Sequence, residues 1–190
     1  HRVNVMFGGQ PLSGDLDLGG ASLPFTATSR GHYFEHAGDI DLTGVASAAD
    51  YVARLRAGYV MIDRAERRGA VIDGATRLAS EAGSTLRMNE GLIDEVCGLV
   101  EWPALLFGSI EERFMALPDE VLEASIRAHQ KYLVTEDAAG ALQPGFIIVG
   151  NRLADAERDA VILAGNQRVL RARLADAEFF WTEDRKASLE

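Results

Sequence analysis

Few side chains in this sequence have the type and spacing that chemistry asks for. His32 and His36 stand four apart, the separation at which two imidazoles on one helical turn can share a metal ion. No further ligand set of the usual spacing accompanies them. The plainer reading is therefore a loop, Arg30 to Gly38, whose aromatics Tyr33 and Phe34 anchor into the core. Asp94-Glu95 and Glu111-Glu112 are adjacent carboxylates, which point in different directions on a helix or a strand and make poor acid/base dyads. Cys97, the single cysteine, has no evident activating partner and excludes an internal disulfide. His129 ends a helix, where a partial positive charge is favourable. There is no GxxxxGK[ST] loop, no GxGxxG after a strand and no GxSxG elbow. The sequence therefore predicts no catalytic residue and no metal site.

The elements that must carry these residues centre on Asn89 to Pro103. Asn89 is a good N-cap with Glu90 in the first turn. Leu92, Val96, Leu99 and Val100 recur at helical spacing, with Ile93 and Cys97 widening the face, and Pro103 cannot continue the helix. Burying such a face contributes roughly 1.5–3 kcal/mol per large side chain. Before this helix, residues 2–7 alternate as a strand, 8–23 form a loop or loose hairpin, and 23–29 a short strand. Ser47 caps a helix to Ala57 with Tyr51, Val52 and Leu55 inward. Residues 59–62 read as a strand. Asp63 opens a long helix to Ala82, in which Val71, Ala75, Leu78 and Ala82 line one face with Ile72 and Ala79. Gly69 and Gly74 each cost that helix about 1 kcal/mol or permit a close crossing. After the central helix come strands at 104–109 and 113–117 and a helix at 120–130 begun by Pro118. A strand at 131–135 then leads through a turn to another at 146–149, a hairpin pair. From Asp155 the chain is helical, with an interruption at Gly165-Asn166. In the helix that follows, Leu170, Leu174, Ala177 and Trp181 make one stripe, and Arg173 is spaced to pair with Asp176. Hairpins mixed with helical connections predict an α+β fold with a mixed, largely antiparallel sheet and packed helices. The expected organisation is an α+β module over 1–150 and a helical segment over 151–190.

Composition bounds the function classes. A chain of 190 residues that is 47% hydrophobic and 25% charged can bury a core without staples. The net charge of −10 argues against a protein that coats nucleic acid non-specifically. From Asn151 on, however, acids and bases nearly balance, so one local basic patch remains able to bind RNA. Cys97 reads as a reduced core thiol, so the expected location is the cytoplasm; no apolar run is long enough to span a bilayer and no signal peptide is visible. A start at His1 and a charged end suggest a piece of a longer protein.

Three stretches then resemble one family. They are Arg30-Gly31-His32-Tyr33-Phe34 with Tyr51 and the Asp63…Arg67/Arg68…Ile72 segment; Gly91 to Pro103; and Gly165-Asn166…Val169 through Arg171 to Phe180, closing with Asp184-Arg185-Lys186. Gln130-Lys131-Tyr132 and Phe146 to Val149 add agreement in the right order. Together they look like the beta subunit of the bacterial, two-subunit type of glycyl-tRNA synthetase. The region is similar to the part of that subunit resembling the B3/B4 module of the phenylalanine enzyme. The family usually has Arg where this chain has Tyr33, which alters any contact that Arg makes.

The resemblance implies a role in joining glycine to its tRNA. ATP and Mg²⁺ would be used on a separate alpha subunit, with no cofactor in this region, and the beta subunit would supply tRNA binding within a heterotetramer. Its implied partners are the alpha subunit and tRNA(Gly), with no membrane. Candidate RNA contacts are Arg168, Arg171, Arg173, Arg185 and Lys186, with Arg64, Arg67 and Arg68 as a second patch. The plain alternative is solvated helix faces. Arg30, Gly31 and His32 form a motif of open role. Two other functions stay open, an editing hydrolase and a structural spacer. Editing is the less needed because a pocket that admits only glycine excludes larger amino acids by size.

Overall fold

The computed structural model describes residues 2–186; the side chain of His129 lies outside that description. The chain divides into two units, residues 1–67 and 68–190, with the boundary inside a helix.

The first unit is a series of two-stranded antiparallel ribbons followed by a helix. They are β1 (Met6–Phe7) with β2 (Gln10–Pro11), β3 (Asp15–Asp17) with β4 (Ser22–Pro24), and β5 (Thr28–Arg30) with β6 (Asp39–Asp41). The β1–β2 turn is Gly8-Gly9, both at positive φ, which glycine alone adopts freely and which suits the twist of a tight hairpin. The strand expected over 23–29 is split, because Phe25 leaves the ribbon to bridge Val3. Of residues 2–7 only Met6–Phe7 form a strand. Helix α1 (Ala48–Ala57) is capped by Ser47, whose side chain accepts from Asp50 N. Arg54 ties the helix to β6 by donating to the carbonyls of Asp41 (3.1 Å) and Thr43 (2.8 Å). The core of this unit is small: Ile40, Leu42 and Leu55, with Met6, Val45, Tyr51 and Val60 packed against them. Residues 59–62 are not a strand. The helix end is tightened by Val60 N donating to Leu55 O, and Tyr59 takes a left-handed φ of 59°.

The second unit is a four-stranded antiparallel sheet with helices on both faces. Its order is β7 (Thr85–Leu86), β9 (Leu133–Glu136), β10 (Leu142–Asn151) and β8 (Pro103–Ser109). The alternation of a strand divides the core in two. Leu133 and Ile147 point to one face and pack with Val71, Ala75 and Ala79 of α2 (Arg64–Glu81) and with Ile93, Val96 and Cys97 of α3 (Glu90–Leu99). Val134, Phe146 and Ile148 point to the other, against Leu122 and Ile126 of α4 (Asp119–Gln130) and Leu170 and Leu174 of α5 (Ala156–Asp184). Burial on both faces explains why β10 carries the unbroken apolar run Phe146 to Val149.

The central helix is capped as its sequence predicts, with Asn89 accepting from Leu92 N at 2.9 Å. Leu99 departs from the expected face and is 65% exposed. The helix stops there, and the extended backbone of Val100 turns that residue inward instead. The strand expected over 113–117 is a 3₁₀ turn, Glu112–Ala116. Phe114 N donates to Glu111 O and Leu117 N to Phe114 O, and this tight coil buries Phe114 completely beside Ile110 and Leu117. Of the two α2 glycines, Gly74 serves a close crossing, since an added Cβ would lie 3.2 Å from Leu105. Gly69 faces open space. The interruption expected at Gly165-Asn166 is absent. Asn166 stays helical because its amide donates back to Ile162 O (2.7 Å) while its oxygen accepts from the hydroxyl of Tyr132.

Candidate nucleic-acid interface

Helix α5 positions the first set of predicted basic residues. Asp155 caps it by accepting from Arg158 N at 2.8 Å, and its inward stripe, Leu170 and Leu174, anchors it to the sheet. At about 100° per residue, Arg168 and Arg173 project roughly 140° apart, on either side of the outward face. Both are exposed, and neither has a hydrogen-bond or ion-pair partner among the described residues. The pairing of Arg173 with Asp176 expected from their spacing is not among the ion pairs of the described residues. The two side chains instead border an open groove of about 350 Å³ with Ala124, Ser125, Ala128 and Phe180. Arg171 reaches across to Glu111 of the preceding connection. Arg113 bridges that same Glu111 (3.1 Å) and Glu178 of α5 (3.2 Å). Arg185 lies over the Trp181 ring at 5.8 Å, and Lys186 Nζ sits 2.6 Å from Glu183. Exposed pairs of this kind contribute about 0–1 kcal/mol, so a phosphate competes for the same guanidinium readily.

The second predicted patch behaves differently. Arg68 is engaged by Glu90 and, at 3.3 Å, by Asp94. Arg67 donates to the carbonyl of Met61, and Arg64 also has a partner. Arg68 thereby joins α2 to α3.

Arg30, Gly31 and His32 lie in a closely packed turn. His32 is fully buried, its N–H donates to Gly58 O (2.8 Å), and its Nδ1 accepts from the N–H groups of Phe34 and Glu35, both at 3.3 Å. A Cβ at Gly31 would fall 2.4 Å from the His36 ring, so only glycine lets that imidazole lie flat on the backbone. Tyr33 and Phe34 are not core anchors; they are 65% and 80% exposed. The turn that buries His32 turns them out, and the Arg30 guanidinium stacks 4.6 Å above the Tyr33 ring.

The adjacent carboxylates are structural too. Asp94 meets Arg68, Glu95 meets Lys131 at 3.0 Å, and Glu111 meets two arginines. Cys97 is buried. Among the described residues, no group of three or more His, Cys, Asp or Glu side chains is placed to hold a metal ion. No described helix is long and apolar enough to cross a membrane. Burial pushes the Tyr132 hydroxyl up to about 12. Sequence reasoning missed the groove between α4 and α5. Its visible signal is the pair of small residues at Ala124 and Ala128, one helical turn apart, facing Phe180.

The whole chain, residues 1–190, matches the family profile described as glycyl-tRNA synthetase beta subunit. Among curated relatives it is similar to the glycine–tRNA ligase beta subunit of Rhodospirillum centenum, 39% identical with 100% of this chain and 29% of the relative covered. The Paracoccus denitrificans protein of the same name is 45% identical over 83% of this chain and 22% of its own length. That of Syntrophus aciditrophicus is 39% identical over 100% and 26%. The class is thus an aminoacyl-tRNA synthetase polypeptide. More narrowly, the chain belongs to the glycyl-tRNA synthetase beta subunit family, and it spans about a quarter of the length of these relatives.

Proposed function

We propose that this region works within the beta subunit of a two-subunit glycine–tRNA ligase as a non-catalytic module whose helix α5 contacts tRNA(Gly). The observation that carries the reading is the free state of Arg168 and Arg173. They stand on the outward face of a helix anchored in the core, without an acidic partner among the described residues, while the α2 arginines are engaged within the protein. A guanidinium held on a rigid element suits the phosphate backbone and fixes RNA in register without reading its bases. In this reading ATP and Mg²⁺ act on the alpha subunit, glycyl-adenylate forms there, and the two kinds of subunit assemble as a heterotetramer in the cytoplasm. The side chains singled out for acid/base or nucleophilic work are engaged: His32 in a turn, Glu111 and Asp94 with arginines, Cys97 in the core.

The test uses the assembled enzyme. Arg168→Glu together with Arg173→Glu is expected to weaken tRNA binding and to reduce the slope of log affinity against log salt by up to about two, one per lost phosphate contact. An unchanged slope assigns those arginines to another role. ATP–pyrophosphate exchange by residues 1–190 alone is expected to give no signal with glycine; exchange above background overturns the assignment of adenylate chemistry to the alpha subunit.

A further inference from the structure

The groove between α4 and α5 brings three kinds of chemistry onto one helical stripe. On α5, Arg173, Asp176 and Phe180 recur at i, i+3 and i+7, so they fall within about 60° of one another on an exposed face, and all three line the groove. On α4, Ala124 and Ala128 are exposed and too small to fill the space between the helices. About 350 Å³ stays open, a size that suits a small ligand or one residue of a larger one. Phe179 meets Phe180 edge to face, ring centroids 5.5 Å apart, and the Phe180 ring remains 62% exposed.

The polar groups select the occupant. Arg173 and Asp176 are spaced to pair, yet neither has a partner among the described residues. Ser125 donates its hydroxyl proton to the carbonyl of Val121 (2.8 Å), so its oxygen meets the groove as an acceptor. The groove therefore offers one cation, two acceptor groups and an open aromatic ring. A phosphate alone would be drawn by Arg173 and repelled by Asp176. A polypeptide closing over the groove would take both charges out of water and would have to bring a base and an acid to match them. Double-helical RNA keeps its base faces inside the stack. An unpaired nucleotide presents the required groups together: a phosphate for the guanidinium, a ring face for Phe180 and an edge of N–H donors for the carboxylate. Guanine alone of the four bases carries two adjacent donors, N1–H and the N2 amino group, which match the two oxygens of one carboxylate.

We propose that the α4–α5 groove holds an unpaired guanine nucleotide of the RNA, its base stacked on Phe180, its N1–H and N2 amino group donating to Asp176, and its phosphate on Arg173. The proposal rests on the reading of α5 as a tRNA contact and adds to it the kind of nucleotide recognised.

The full-length beta subunit provides the test, with the single-stranded ribonucleotides UUGUU and UUAUU as probes and protection of Phe179 and Phe180 from hydroxyl-radical oxidation as the local readout. Both rings are expected to react freely without RNA. Rings already protected overturn the proposal, because the rest of the chain then fills the groove. UUGUU is expected to protect them at a concentration at least about tenfold lower than UUAUU does. Asp176→Asn is expected to remove that preference, and a preference that survives overturns the role of the carboxylate and the proposal with it. Phe180→Leu keeps apolar bulk but cannot stack, and is expected to raise the concentration that protects Phe179 about tenfold for both probes. Unaltered protection in that variant assigns Phe180 to packing and overturns the stacked base. The substituted side chains are exposed, so an unaltered melting temperature accompanies each variant. Equal protection by UUGUU and UUAUU overturns the guanine site, and leaves the tRNA reading standing where Arg168→Glu with Arg173→Glu still lowers the salt slope. An unchanged slope as well overturns both.

Discussion

The two units solve the problem of burial in opposite ways. In residues 68–190 a four-stranded sheet is covered on both faces, and Phe146 and Ile147, neighbours on one strand, are each fully buried on opposite sides. In residues 1–67 three separate ribbons accompany a core of only three buried apolar residues among those described, and Phe7, Leu12, Leu16 and Leu18 are left in water. The lesson is a division of labour. One unit encloses its own core and anchors the helix that displays Arg168 and Arg173. The other is shaped more by what it leaves open than by what it encloses.

That contrast can be broken or sharpened by substitution. The largest effect is expected from Phe146→Ala, which removes a ring from a fully buried site and destabilises the second unit by about 3–5 kcal/mol. Leu42→Ala, at the centre of the smaller core, is expected to cost about 2–3 kcal/mol, because a thin layer collapses more easily around the gap. Hydrogen exchange resolved by unit should show each loss confined to its own residues; simultaneous loss in both would dissolve the division. Gly69→Ala is expected to gain about 1 kcal/mol in thermal unfolding, since nothing lies within 4 Å of the added methyl in the middle of α2. Arg168→Glu with Arg173→Glu should change stability by less than about 0.5 kcal/mol, so that its effect on tRNA binding is separable from folding.

The units should also differ in their response to pH. In the first, the Thr43 N–H bonded to Asp41 and the Arg54 side chain bonded to Asp50 hold both carboxyls below their usual value. Groups lowered on folding contribute stability above their unfolded value of 3.8 that is lost as pH falls through the folded one. In the second, Tyr132 is raised from 10.0 to about 12, so its contribution is complete below pH 10 and is lost as pH climbs toward 12. Acid should loosen the first unit first, and alkali the second. Tyr132→Phe should abolish the alkaline limb.

Much of this architecture is legible locally. Caps are short-range contacts, so Asn89 and Ser47 announce their helices, and the turn before Phe146 announces a hairpin. The errors fall where distant partners decide. Residues 113–117 alternate like a strand, but Phe114 coils to reach a core built from α4, β10 and α5. Gly165-Asn166 looks like a break until Tyr132, far away in sequence, accounts for the Asn166 oxygen. Arg168 and Arg171 look equivalent on a helical wheel, and only Glu111, brought across from another connection, distinguishes them. Tyr33 and Phe34 mislead because their neighbour His32 takes the buried place.

The continuity of α5 has a mechanical consequence. Twenty-nine residues at about 1.5 Å each make a rod of about 43 Å with no hinge along it. Its middle is clamped to the sheet through Leu170, Leu174 and the Tyr132–Asn166 bond, while Phe179, Phe180 and Arg185 ride near its far tip. A force applied to that tip cannot be absorbed by bending at a flexible joint. It is carried along the helix to the contacts beside β9, so the helix can act as a lever arm as well as a surface.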